Sequence, residues 1–172
     1  MSALVVFTGL PGTGKSTLAD RLAVELGAPS FSGDWLLGAL KPHGLLTGLD
    51  RPTLLAAYYD LLSTLATRQL TLGQSAVLDC LISNEIATRW RQLAVEHQAR
   101  LVLVECVCSD EVEHRRRLEG RQRGIPGWHE VGWAHVERMR AEYGRFGAPD
   151  LVVDAMDPVE GNLGGVLRLL ED

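Results

Sequence analysis

The sequence predicts an α/β fold, a three-layer sandwich in which parallel strands joined by right-handed crossovers lie between helices. Three observations carry that expectation. The chain opens on a short branched apolar run, Leu4-Val5-Val6-Phe7, closed by a glycine, as a buried strand is. Leu18, Leu22 and Leu26 follow at helical spacing, with Ala19 and Ala23 beside them. The same alternation of strand and helix then returns to the C-terminus without a repeat, a low-complexity stretch or a linker, so residues 1–172 read as one domain.

Taken in order, Gly27 and Pro29 close the first helix, and residues 29–34 form a short strand ending in the carboxylate of Asp34. Leu36 to Leu40 make a helical turn stopped by Pro42, and residues 41–50, with two glycines and a proline, read as loop. Asp50-Arg51-Pro52 opens a strong helix with Leu54, Tyr58, Leu61, Leu62 and Leu65 on one face, ending at Gly73. Residues 76–82 are a second buried strand, 84–97 a helix and 100–108 a third long strand. Asp110 and Glu113 form a capping box for the next helix. Gly124-Ile125-Pro126-Gly127 breaks that helix, residues 128–143 are helical again, and Leu151-Val152-Val153-Asp154 is the last strand. Asp157-Pro158-Val159-Glu160 starts a final helix through Leu163, Leu167 and Leu170.

Between the first strand and helix lies Gly9-Leu10-Pro11-Gly12-Thr13-Gly14-Lys15-Ser16-Thr17, a G-x-x-x-x-G-K-S pattern in the strand–helix context that a phosphate-binding loop requires. Glycines let successive N–H groups curl around an anion, and the following helix adds the positive end of its dipole. Gly9, Gly12, Thr13, Gly14, Lys15, Ser16 and Thr17 are therefore candidate ligands of a nucleoside triphosphate. Lys15 would reach the β- and γ-phosphates and Ser16 would ligate Mg²⁺.

Bulk properties narrow the class. A net charge of −5 disfavours a broad nucleic-acid footprint. No apolar run approaches a membrane span, and no basic leader precedes the first strand. Three cysteines, Cys80, Cys106 and Cys108, fit buried thiols in a reducing compartment, so a cytoplasmic location is expected. Histidines at 97, 114, 129 and 135 lack metal-ligand spacing, which leaves Mg²⁺ arriving with ATP as the expected metal. Arginines crowd one region, at positions 115, 116, 117, 121, 123, 138, 140 and 145.

Neither a D-x-x-G switch nor an N-K-x-D base-reading motif is present, which excludes a regulatory GTPase. Parallel sheets place ligands at the carboxyl ends of their strands, so Asp34 and Asp79 are expected to face the phosphate loop. Asp34 is the candidate general base or hydroxyl-orienting group, or else an N-cap at Trp35. Asp79 is a candidate to hold Mg²⁺ through water or to contact substrate, or else a cap for the helix near Asn84. Arg117, Arg121 and Arg123 are candidates to contact phosphate, with Arg121, beside the flexible break, chosen for transfer chemistry; the alternative is a solvated helix face paired to Glu113 and Glu119. Arg115 and Arg116 read as that solvated face. Trp35 is a candidate wall of an acceptor pocket, His43 a candidate substrate contact or else an exposed loop histidine, Trp128 and Trp133 candidate lid residues, and Trp90 core or helix surface.

With these residues in hand, the chain resembles, over nearly its whole length, the small P-loop kinases: chloramphenicol phosphotransferase, zeta toxin, gluconate kinase, shikimate kinase and AAA_33-type proteins. The resemblance implies a five-stranded parallel sheet of order 2-3-1-4-5, with a helical lid at about residues 115–145 closing over ATP. Gly33-Asp34-Trp35 matches the second-strand motif whose aspartate accepts the substrate hydroxyl's proton. Glu113 to Arg123 looks like the segment that supplies phosphate-contacting arginines, and Arg117 would pack on adenine against the 155–159 loop. The implied activity is ATP- and Mg²⁺-dependent phosphorylation of a hydroxyl on a small molecule, a metabolite, antibiotic or other natural product, by a monomer or homodimer. Two alternatives stand beside it. A polynucleotide 5′-end kinase of similar fold carries an arginine three residues after the catalytic aspartate, where this chain has Leu37. An ATP-binding regulatory or toxin-like module would bind the nucleotide without an acceptor. Gluconate kinases carry a histidine-proline pair soon after the aspartate, and it is missing here.

Overall fold

Five strands and seven α-helices alternate along the chain in a computed structural model that describes residues 1–143 and 146–171; Arg145 of the arginine-rich region lies outside them. The order is β1 (Ala3–Thr8), α1 (Lys15–Leu26), β2 (Ser30–Ser32), α2 (Gly33–Leu40), a 3-10 turn (Lys41–His43) and α3 (Arg51–Thr71). There follow β3 (Ala76–Asp79), α4 (Asn84–Glu96), β4 (Arg100–Val107), α5 (Glu111–Gly120), α6 (Trp133–Tyr143), β5 (Leu151–Asp154) and α7 (Val159–Glu171). All strand pairs are parallel, in the order β2-β3-β1-β4-β5.

The central strand explains the layering. All six residues of β1 are buried, as expected where helices cover both faces of a parallel sheet. Ala3, Val5 and Phe7 point to the layer packed with Leu18 and Leu22 of α1 and Leu163 and Val166 of α7. Leu4 and Val6 point to the opposite layer, with Tyr59 and Leu62 of α3 and Trp90 of α4. Trp90 is core, and its indole N–H donates to the Ser63 hydroxyl at 2.9 Å. Register sets Phe7 beside Asp79 and Asp79 beside Ser32, so the β1, β3 and β2 ends are level where the chain leaves the sheet.

Several boundaries differ from the sequence reading. Helix α2 begins at Gly33, so Asp34 does not end a strand; it lies in the first turn of a helix whose N-cap is Ser32, not Asp34. The buried face of α3 is Tyr59, Leu62, Ser63, Ala66 and Leu70, while Leu61 is exposed. Strand β3 stops at Asp79, and α6 begins at Trp133 rather than at residue 128. The helix after Asp79 is capped by Ser83, whose hydroxyl accepts from the Ile86 N–H, so Asp79 is not its cap. Asp110 caps α5 by accepting from the Glu113 N–H at 2.9 Å, but the Glu113 carboxylate binds Arg116 and Arg117 instead of closing the box. No helix among the described residues is long and apolar enough to cross a membrane.

Candidate functional site

The loop joining β1 to α1 is built by glycines that no other residue replaces. Gly9, with φ near 146°, has its missing side chain aimed at the Cys106 carbonyl, where a Cβ would come within 2.2 Å. Gly12 and Gly14 have φ values of 91° and 81°, left-handed geometry that turns the chain tightly before α1. The Thr13 hydroxyl donates to the Leu10 carbonyl at 2.8 Å and stiffens the bend.

In front of this bend opens a hollow of about 290 Å³ whose walls include Gly12, Gly14, Lys15, Ser16, Arg121 and Arg123. Thr17 and Arg117 complete it. Six of the eight predicted nucleotide ligands thus come together; Gly9 and Thr13 instead face a second cavity, of about 360 Å³, behind the loop. The arginines arrive from the segment after β4, more than a hundred residues along the chain from the loop.

Each arginine is held differently. Arg117 is clamped between Glu113, at 2.6 Å, and the Ala155 carbonyl, to which it donates at 2.8 Å. That puts its guanidinium beside the β5–α7 loop, where the resemblance expects adenine. Arg121 is buried to 19% exposure, yet its Nε and Nη2 have no hydrogen-bond partner among the described residues. The Glu130 carboxylate, 3.6 Å from Nε, is an ion-pair neighbour beyond hydrogen-bond reach. Burial, and then the neighbouring Arg123 charge, lower the Arg121 pKa, the signature of a cation short of an anion. Arg123 binds Asp34 and Glu130 together; burial works against its charge, but these two carboxylates outweigh it and raise its pKa. Arg115 and Arg116, as expected, lie on the solvated face with Glu119 and Glu113.

Asp79 borders a further cavity of about 470 Å³, lined also by Ser16, Asp20, Ser32, Trp35 and Arg123, whereas Asp34 is not among its lining residues and meets it through its Arg123 partner. Asp79 is 6% exposed, and its Oδ1 lacks any hydrogen-bond partner among the described residues. A buried unpartnered carboxylate oxygen beside a hydroxyl suits a hydrated divalent cation, so Ser16 and Asp79 fit Mg²⁺. Asp20 sits one helical turn after Ser16, and burial, then the charge of Asp79, raise its pKa. Trp35 is half-exposed at the rim. His43 is exposed on the 3-10 turn and lines none of these cavities.

Sequence reasoning missed three participants. Tyr58 stands over Gly33, where a Cβ would come 1.9 Å from its hydroxyl, and burial followed by the charges of Cys80 and Asp34 raises its pKa far above the usual phenol. The 125–128 segment rests on α2, with Gly38 and Gly127 in close backbone contact and Lys41 over the Trp128 ring. His114 supports the loop from behind. The glycines at 33 and 38 were the available signal, since glycine inside a helix marks close approach. Trp128 lies on this segment, whereas Trp133 is buried with Leu118 and Val136.

A glycine-built anion hollow at the head of α1, on a parallel sheet of order 2-3-1-4-5, defines a P-loop NTPase. The model of the AAA_33 family, described as an AAA domain, matches residues 4–146, and the chain belongs to that family. Among curated proteins none matches significantly. Solved structures that are similar include a sugar kinase from Janibacter sp. HTCC2649, 18% identical, with a TM-score of 0.70 over 99% of this chain and 95% of that one. A gluconokinase from Sinorhizobium meliloti 1021 is 20% identical, with a TM-score of 0.67 over 99% and 94%. An APS kinase from Mycobacterium tuberculosis, in complex with AMPPNP and APS, is 26% identical, with a TM-score of 0.64 over 99% and 98%.

Proposed function

We propose that the chain is an ATP-dependent kinase that transfers the γ-phosphoryl group to a hydroxyl of a small molecule. The observation that carries this reading is the convergence of Arg117, Arg121 and Arg123 on the hollow that holds Lys15 and Ser16, with Asp34 tied to Arg123 at its edge. Similarity to kinases, one of them bound to AMPPNP, supports it.

The roles follow from chemistry. Loop N–H groups and Lys15 hold the β- and γ-phosphates, and Arg117 faces the base. Arg121, a buried cation with two unused donors, stabilises charge that gathers on the phosphoryl oxygens during transfer. Mg²⁺ would be held by Ser16 and, through water, by Asp79, and when bound it neutralises phosphate charge. The acceptor oxygen forms a bond to the γ-phosphorus as the bond to the bridging β–γ oxygen breaks, and Asp34 takes the alcohol proton. As Arg123 moves onto phosphate, Asp34 exchanges that partner for the alcohol. We assign residues 115–145 as the lid that carries this exchange, Trp35 to the acceptor wall, and the protein to the cytoplasm with no nucleic-acid or membrane partner. His43, exposed and outside the cavities, is dropped as a substrate contact.

Turnover of ATP and Mg²⁺ against a panel of hydroxylated metabolites and antibiotics, read by mass shift, tests the reading. Asp34→Asn is expected to lower turnover by at least about a hundredfold while ATP still binds. Near-wild-type turnover in that variant removes Asp34 as the base. A salt-sensitive shift of RNA or DNA, with phosphate appearing on a 5′ end, overturns the small-molecule acceptor.

A further inference from the structure

Buried beneath the phosphate loop lies a histidine ring that touches it. His114 projects from α5, is 2% exposed, and its Nε2 lies 2.8 Å from the Pro11 carbonyl oxygen. A carbonyl only accepts, so Nε2 donates. The Gly12 backbone rests on the same ring: a Cβ there would come 3.2 Å from the ring Cδ2 and 3.3 Å from Nε2. On its other side the imidazole meets Trp133 of α6 edge to face, with centroids 5.1 Å apart at 85°. Arg115 and Arg140 sit over that indole in turn.

Peptide geometry turns this contact into a statement about the hollow. The Pro11 carbonyl and the Gly12 N–H belong to one planar trans peptide, so they point in opposite directions. Fixing the carbonyl on His114, behind the loop, aims the Gly12 N–H to the front, where Gly12 lines the hollow. We propose that His114 is a positioning residue of the nucleotide site, holding the Pro11–Gly12 peptide so that the Gly12 N–H faces the phosphates. Left-handed φ at Gly12 leaves that peptide free to flip, since glycine meets no Cβ barrier. The histidine removes the freedom. It also makes the loop sense α5 and α6, because the ring is gripped between the loop and Trp133. Burial, with Arg140 and Arg121 adding to it and Glu111 and the Pro11 bond opposing, lowers the His114 pKa, which keeps the ring neutral near pH 7.

This inference rests on the loop binding a nucleoside triphosphate, and two variants of the full chain separate the two ideas. His114→Gln can place an N–H where Nε2 stands, whereas His114→Phe keeps the ring and loses the donor. Calorimetry with ATP and Mg²⁺, together with the ¹⁵N–¹H shift of the Gly12 amide on adding ADP, reads the effect. His114→Phe is expected to weaken ATP binding about tenfold and to abolish the Gly12 shift, while His114→Gln stays within about threefold of wild type. Wild-type affinity and an unchanged Gly12 shift in a folded His114→Phe protein overturn the role of His114 and leave the nucleotide site standing. A His114→Gln protein as weak as the Phe variant overturns the role too, because the donor is then immaterial. A wild-type chain that takes up no ATP overturns the kinase reading itself.

Discussion

Arg123 and Asp34 are 89 residues apart in sequence, yet they form the contact on which the proposed transfer turns. The pair engages Oδ2 of Asp34, and the proposed movement of Arg123 onto phosphate would leave the whole carboxylate to the alcohol. His114 shows the same economy: one side chain sets the direction of a peptide 103 positions earlier. Its lowered pKa has a consequence for stability, and His135, also lowered by burial and then by Arg138, shares it. Below the ordinary histidine value of 6.5 the unfolded chain binds a proton that the native ring resists. Stability is therefore held above that value and lost as pH falls from it towards the native pKa. The melting temperature of the wild type should fall more steeply between about pH 7 and 5.5 than that of His114→Gln, which lacks the His114 contribution and keeps that of His135. Parallel curves would show that His114 takes up its proton alike in the native and unfolded chain. Lys15, Ser16 and the loop glycines were legible from sequence because they are adjacent in the chain and the motif has one physical use. The arginines were legible as a cluster, but their separate tasks depend on Glu113, Ala155, Glu130 and Asp34, which only the fold supplies.

Elements built on long apolar runs, β1 and β4, were read almost to the residue, because burial on both faces leaves them little choice of composition. Helix α2 was not. Its eight residues hold two glycines, which local propensity counts against a helix. Tertiary packing reverses that penalty: Gly33 admits the Tyr58 hydroxyl and Gly38 admits the Pro126 carbonyl. The interlock of Gly38 with the 125–128 segment lies directly after Arg123, which pairs with Asp34. A Cβ at Gly38 would come 2.5 Å from the Pro126 carbonyl, a backbone atom with little room to yield. Gly38→Ala is therefore expected to lift that segment off α2, and trypsin should cut after Arg121 and Arg123 at least about fivefold faster than in wild type. Unchanged cleavage would mean that the ion pairs alone hold the segment. The α3 face was misjudged for a related reason. Leucine spacing allowed Leu61 inward, but the sheet takes Tyr59, Leu62 and Ala66, and the tyrosine hydroxyl secures this by donating to the Leu81 carbonyl at 2.8 Å.

Across the whole molecule, two apolar layers hold one sheet, and the ends of β1, β2 and β3 deliver the loop, Asp34 and Asp79 to one edge. Strand order alone places them together, which is why the site was foreseeable once the chain was read as an alternating α/β protein. By the proposed function, this edge binds a triphosphate through the loop and Lys15. Calorimetric titration of the full chain with ATP and Mg²⁺ tests it most directly. One-site binding, weakened about a hundredfold or more by Lys15→Ala in a protein that melts as the wild type does, is the predicted result. No uptake by the wild type, or equal affinity in the two proteins, would contradict it.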